Sequence, residues 1–249
     1  MRILLLGGTT EAGDLARALA LGGHDAIYSY AGRTQSPAAQ PLPQRVGGFG
    51  GITGLADWIR HEGISHVIDA THPFANEISG NAVAACAQTR VPLLALERPP
   101  WVAGPGDRWT DVADVDAAVA ALPDTKARVF LAIGRQSLAP FAAKPQHSYL
   151  LRLIDEPGEI PLPHAIITLS RGPFSEPADR RLLQDHAITH VVAKNSGGSA
   201  AEAKLAAARS LGLPVIMIAR PPMPPRASVT TVGQVLDWLG HSARLGVKT

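Results

Sequence analysis

The sequence predicts an α/β protein made of two Rossmann-like domains with mainly parallel sheets. Three observations lead there. Short apolar runs alternate with segments of helical period along the whole chain. The first apolar run ends in a Gly-Gly turn that opens a helix, the local order of a dinucleotide fold. The chain also repeats itself. Ile64-Ser65-His66-Val67-Ile68 returns as Ile188-Thr189-His190-Val191-Val192. The run Pro92-Leu93-Leu94-Ala95-Leu96-Glu97-Arg98-Pro99-Pro100 returns as Pro214-Val215-Ile216-Met217-Ile218-Ala219-Arg220-Pro221-Pro222, and Thr110-Asp111-Val112 as Thr230-Thr231-Val232. An internal duplication follows, with domains expected at 1–122 and 127–249 and Pro123-Asp124-Thr125-Lys126 as the linker. Two such lobes create a cleft whose sides need not bind the same molecule.

The elements follow in order. Residues 2–6 are apolar after Arg2, the pattern of a strand buried on both faces. Ala12, Leu15, Ala16 and Leu19 recur at helical spacing over 11–21, and Gly22-Gly23 stops that helix. A strand is expected over 25–30, then a loop holding Pro37, Pro41 and Pro43. A short strand at 44–46 leads into Gly47-Gly48-Phe49-Gly50-Gly51. A helix at 55–62, a strand at 66–70, a helix at 75–89 and a strand at 92–96 come next. A strand at 109–112 and a helix at 115–122 close the first half. In the second half strands are expected at 129–133, 148–153, 165–169, 190–193 and 215–219, with helices at 138–142, 177–186, 200–211 and 232–239.

Composition narrows the function. Hydrophobic residues at 46% and charged ones at 18% are those of a globular protein with real cores. A net charge of +2, with no basic run, gives no footprint for nucleic acid. No apolar run reaches the ~20 residues of a membrane span, and the apolar start is too short for a signal peptide. The single cysteine, Cys86, has no partner for an internal disulfide and reads as a small apolar filler. Together these predict a cytoplasmic protein without nucleic-acid or membrane partners, a monomer being the favoured state. Neither His-Glu-x-x-His nor paired cysteines occur, so no metal is expected.

In parallel sheets ligands bind beyond the carboxyl ends of the strands. The first such loop is Gly7-Gly8-Thr9-Thr10-Glu11-Ala12, in which Gly7, Thr9 and Ala12 occupy the three glycine positions of the dinucleotide fingerprint. A tight turn without ligand is the alternative. After the second strand an NAD enzyme would carry an acid on the ribose. Here the chain has Arg33 and Thr34, and a guanidinium suits a 2′-phosphate, so NADPH is favoured over NADH. After the fourth strand, Thr71 and His72 in Asp69-Ala70-Thr71-His72-Pro73 are placed to meet the nicotinamide or the substrate. His72 is a candidate proton donor; ordering the turn before a helix is its equal rival.

The second half lacks the paired glycines. It carries Arg135, Gln136 and Ser137 after its first strand, Arg171, Gly172 and Phe174 after its third, and Lys194, Asn195 and Ser196 after its fourth. Arg135, Arg171 and Lys194 in one mouth imply a polyanion, and several carboxylates fit as well as phosphates. Solvated loop charges are the plain alternative for any one of them. His66 and His190 begin equivalent strands and read as structural; Trp58, Trp101, Trp109 and Trp238 read as packing.

Six segments in order resemble the precorrin-6A reductase (CobK/CbiJ) family of corrin-ring biosynthesis. They are Leu4-Leu5-Leu6-Gly7-Gly8-Thr9-Thr10-Glu11-Ala12, Asp69-Ala70-Thr71-His72-Pro73-Phe74-Ala75, Glu97-Arg98-Pro99-Pro100-Trp101, Gly134-Arg135-Gln136, Arg171-Gly172-Pro173-Phe174 and Lys194-Asn195-Ser196-Gly197-Gly198. The resemblance implies NADPH-dependent reduction of one double bond of the precorrin-6A macrocycle to give precorrin-6B, in an oxidoreductase whose two domains hold the ring between them. A tetrapyrrole fringed with acetates and propionates accounts for the cations of the second half. Hydride transfer to a conjugated ring needs neither nucleophile nor metal from the protein, only orientation; His72 or solvent supplies the proton. Alternatives are a cobalt-precorrin-6A reductase, an NADP-dependent reductase of another polycarboxylate, and a non-enzymatic protein closing over an anion.

Overall fold

The structure, a computed structural model, describes residues 1–32 and 38–246. The chain divides into two units, Met1–Pro99 with Pro222–Thr249, and Pro100–Pro221.

The first unit contains β1 (Arg2–Leu6), α1 (Thr10–Leu21), β2 (Asp25–Tyr30), β3 (Gln44–Val46), α2 (Gly51–His61), β4 (His66–Asp69), α3 (Asn76–Thr89) and β5 (Leu93–Leu96). It is completed by β12 (Ser228–Val229) and α7 (Val232–Gly246) from the far end of the chain. The sheet runs β3-β2-β1-β4-β5-β12, with every pairing parallel. Chain order reverses between β1 and β4, the switch point where such sheets bind ligands.

Strand alternation builds two cores. Ile3 and Leu5 of β1 face one way, packing with Leu15 and Leu19 of α1 and Val235 and Leu239 of α7. Leu4 and Leu6 face the other way, onto Leu55 and Ile59 of α2 and Ala82 and Ala85 of α3. Both sheet faces are therefore covered, and β1 after Arg2 reads as an unbroken apolar run.

The second unit contains β6 (Trp109–Val112), α4 (Val115–Ala120), β7 (Arg128–Ala132), β8 (Ser148–Leu153), β9 (Ala165–Leu169), α5 (Glu176–Asp185), β10 (His190–Lys194), α6 (Ala203–Ser210) and β11 (Val215–Ile218). Its parallel sheet runs β9-β8-β7-β10-β11-β6. Strand for strand this is the first sheet again. The helix expected at 138–142 is instead two short 3₁₀ turns, Arg135–Ser137 and Ala139–Ala143.

The expected domain bounds of 1–122 and 127–249 are corrected by the sheets. β6 ends the first repeat yet pairs with β11 of the second sheet; β12 ends the second repeat yet pairs with β5 of the first. The two repeats exchange their sixth strands. Both unit boundaries fall inside a Pro-Pro pair, Pro99-Pro100 and Pro221-Pro222. Two prolines give a stiff extended segment without amide donors, which cannot remain paired to the sheet it leaves. The short strand β12 was not expected from sequence, since two residues carry no period.

Candidate functional site

In the first unit the loops gather at the carboxyl ends of β1, β2 and β4. Gly7 follows β1 with Tyr28 directly behind it: a Cβ on Gly7 would stand 2.1 Å from the Tyr28 ring. The Tyr28 hydroxyl accepts the Gly8 amide at 2.9 Å, and burial pushes its pKa upward, so it stays a neutral phenol. Gly8 has φ +128°, a conformation side chains rarely adopt. Thr9 caps α1, its hydroxyl accepting the Ala12 amide at 3.1 Å while donating to the Ala70 carbonyl at 2.9 Å. That second bond ties the glycine turn to the loop after β4. Thr10 and Glu11 supply the first helical amides. The Glu11 carboxylate, which would repel an anion there, accepts from Arg98 at 2.8 Å.

After β4, Asp69 Oδ1 accepts both the Thr71 amide at 3.1 Å and the Thr71 hydroxyl at 2.7 Å. His72 Nδ1 accepts the Phe74 amide at 3.2 Å, so the neutral ring carries its proton on Nε2. The turn-ordering role expected as a rival for His72 is thus present in the geometry.

A cavity of about 320 Å³ opens beside these loops, lined by Gly7, Ser29, Thr71, Ile78, Asn81 and the 47–51 glycine run. Arg45 braces it: the guanidinium stacks 3.7 Å from the Phe49 ring centre and donates to Ser29 Oγ and the Gly47 and Gly48 carbonyls. Arg33 and Thr34, the residues expected to choose between NADPH and NADH, lie outside the described residues.

In the second unit Arg135, Gln136, Arg171 and Gly172 are exposed at strand ends. Lys194 donates to Ser137 Oγ at 2.8 Å, joining two of the expected residues. Phe174 stacks 3.7 Å from the guanidinium of Arg152, which is itself paired with Asp179 at 2.5 Å. Asn195, expected to meet substrate, has its amide engaged elsewhere. It accepts from the Trp101 amide at 2.8 Å and donates to the Trp101 carbonyl at 3.0 Å. The Ser196 side chain is buried, and its carbonyl, like that of Asn195, accepts from Arg220. This loop is a shaped backbone held by Trp101 and Arg220.

Sequence reasoning missed Arg98, Arg220, Arg226 and Trp101 as organisers of the mouths. A signal existed for two of them. Arg98 and Arg220 occupy the same place in the duplication, and each reaches a ligand-side loop of its own unit. Asp69 was part of a quoted motif without a role. Arg226 had no signal, because its partners are remote in sequence.

Known proteins carry the same features. Residues 2–240 match the family model "Precorrin-6x reductase CbiJ/CobK". The chain is 62% identical over 244 residues to a precorrin-6A reductase of Rhodobacter capsulatus, covering 97% of each. It is 30% identical to a cobalt-precorrin-6A reductase of Priestia megaterium, covering 97% of this chain and 99% of the relative. A solved structure titled "CobK precorrin-6A reductase" superposes with a TM-score of 0.94 at 62% identity, covering 97% of this chain and 96% of that one.

Proposed function

The chain belongs to the precorrin-6x reductase family, and on that premise we propose that it reduces a double bond of the precorrin-6A macrocycle to precorrin-6B with NADPH as the reductant. The observation that carries the cofactor half is the Gly7-Gly8 turn at the switch point of a sheet ordered β3-β2-β1-β4-β5-β12. The residues there suit a dinucleotide. Gly8 leaves open space where a side chain would stand, α1 offers its first amides, and Arg98 offsets the one acid. Gly7, Gly8, Thr9, Thr10 and Glu11 would hold the pyrophosphate, and Thr71 and His72 would meet the cofactor beyond it, Thr71 from the wall of the cavity it shares with Ile78 and Asn81. Arg33 and Thr34 would read the 2′-phosphate. Bound there, the nicotinamide supplies the hydride.

The protein's own contribution is orientation and charge. Arg135, Arg171 and Lys194 would meet the substrate's acetates and propionates, with Gln136, Ser137, Gly172, Phe174 and Ser196 shaping their surroundings. Asn195 would act through the loop it fixes. His72, with its proton on Nε2, is the proposed proton donor; solvent is its rival. The cobalt-free ring is the favoured substrate, because the relative at 62% identity is named for precorrin-6A and the cobalt-precorrin relative stands at 30%. Such a reductase works in the cytoplasm; no helix of the described residues is long and apolar enough to cross a membrane.

The test is incubation with precorrin-6A and NADPH, following both absorbances. Loss of NADPH in step with the change in the macrocycle spectrum is expected. A macrocycle reduced by NADH but not NADPH would overturn the cofactor, and one left unchanged by either would overturn the reaction.

A further inference from the structure

Thr71 lines the cavity of the first unit, and its neighbours leave its hydroxyl one polarity to offer. A carboxylate only accepts. Asp69 Oδ1 takes the Thr71 hydroxyl proton at 2.7 Å, so that proton is spent. Ser79 Oγ, buried and 3.1 Å from the same oxygen, must then be the donor of the two. What Thr71 can still present to the cavity is a lone pair.

The group that imposes this is itself held in a costly arrangement. Asp69 ends β4 and is 2% exposed. Its Oδ2 has no hydrogen-bond partner among the described residues; its ion-pair partner there is Arg226, at 3.6 Å. Arg226 is nine-tenths buried, lies equally 3.6 Å from Glu97, and leaves Nε and Nη1 buried without a hydrogen bond among the described residues. It arrives on the segment leading to β12, from the opposite end of the chain. Burying charges with loose pairing is unfavourable beside apolar packing. Here the cost is met where the Thr9–Ala70 bond joins the glycine turn to the β4 loop.

We propose that Arg226 and Asp69 are positioning residues that hold Thr71 as a hydrogen-bond acceptor for an amino group of the cofactor. This rests on the NADPH reading. The cofactor has two such groups, the nicotinamide carboxamide and the adenine amine. A hydroxyl free to rotate would serve an oxygen in either place equally well. One whose proton is committed to Asp69 discriminates against it.

The test is equilibrium binding to the full chain of NADP⁺, its 3-acetylpyridine analogue, which lacks the carboxamide amine, and its hypoxanthine analogue, which lacks the adenine amine. Thr71→Val should weaken NADP⁺ about 3- to 10-fold, the size of one neutral hydrogen bond, and Thr71→Ser should restore it. One analogue should bind the parent more weakly by a similar factor and be indifferent to Thr71→Val, which names the amine. Arg226→Gln should erase that discrimination, and Arg226→Lys should keep most of it. The proposal is overturned if Thr71→Val binds NADP⁺ within twofold of the parent, or if both analogues lose as much as NADP⁺ on that substitution. Discrimination that survives in Arg226→Gln, or in Asp69→Asn should the arginine variant not fold, reduces the pair to a structural role and overturns it as well. A parent that binds no NADP⁺ at all sinks the cofactor reading itself, a distinct result.

Discussion

At the residue scale, small side chains and fixed hydrogen bonds shape the first unit's mouth. Gly7 is required by the Tyr28 ring behind it, and Gly8 by its left-handed backbone. Gly8→Asp adds a strained side chain and a negative charge where the phosphates are proposed to lie. NADPH affinity, followed by its fluorescence, should fall more than tenfold; an unchanged value would remove this loop from the cofactor site. Arg33→Ala should weaken NADPH by about 1.5–3 kcal/mol more than NADH, the size of a charge-assisted contact. Equal losses for both would show that another residue reads the 2′-phosphate. The motif residues here were legible from type and spacing alone: glycines before a helix, and Thr71 and His72 after a strand. Tyr28 and Arg226 were not, because each acts on a partner that only folding brings near.

At the element scale, the exchanged segments matter most. α7 lays Val235 and Leu239, both fully buried, onto the same core as α1. Leu239→Ala should cost about 2–5 kcal/mol of stability, and urea unfolding should show it as a lowered midpoint with the slope retained. Helix and strand periods announced most elements, since apolar spacing is a local property. They failed at the two-residue β12 and at 138–142, where two 3₁₀ turns stand in place of an α-helix. Elements also carry a pH dependence. His147, just before β8, is wholly buried, and its Nδ1 accepts the Ala127 amide. Burial first, then the nearby Lys144 and His190 charges, lower its pKa below the ordinary 6.5. Burial likewise lowers His66 and His190. The unfolded chain therefore takes up protons that the folded one refuses. Their contribution is complete above about pH 6.5 and is lost as pH falls from there toward the depressed folded values. Urea midpoints measured from pH 8 to 5 should decline through that window, and less steeply in His147→Gln; a flat profile would contradict the assignment.

At the scale of the whole molecule, one α/β pattern written twice yields two units of different chemistry. The first keeps a glycine turn; the second replaces it with Arg135. Arg135→Ala and Arg171→Ala should each raise the KM for precorrin-6A several-fold, more at low salt than at high, while NADPH affinity stays near the parent's. A stoichiometry of two NADPH per chain would end this division of labour. Fragments 1–122 and 127–249 should each fail to fold alone, since each lacks the sixth strand and last helix of its sheet and holds those of the other; a cooperative unfolding transition from either fragment alone would disprove it. The sequence by itself determined the fold class, the duplication, the family and the position of the loops proposed to meet ligands, because period, glycine placement and motif order are written locally. Only the tertiary structure decided which sheet each sixth strand joins, and with it that Arg226 reaches Asp69 and Trp101 reaches Asn195. Strand pairing joins β6 to β11 and β12 to β5 across long stretches of chain, and local period does not encode it. That choice is made by the stiff Pro-Pro crossings and by burial on the receiving sheet, both properties of the assembled chain.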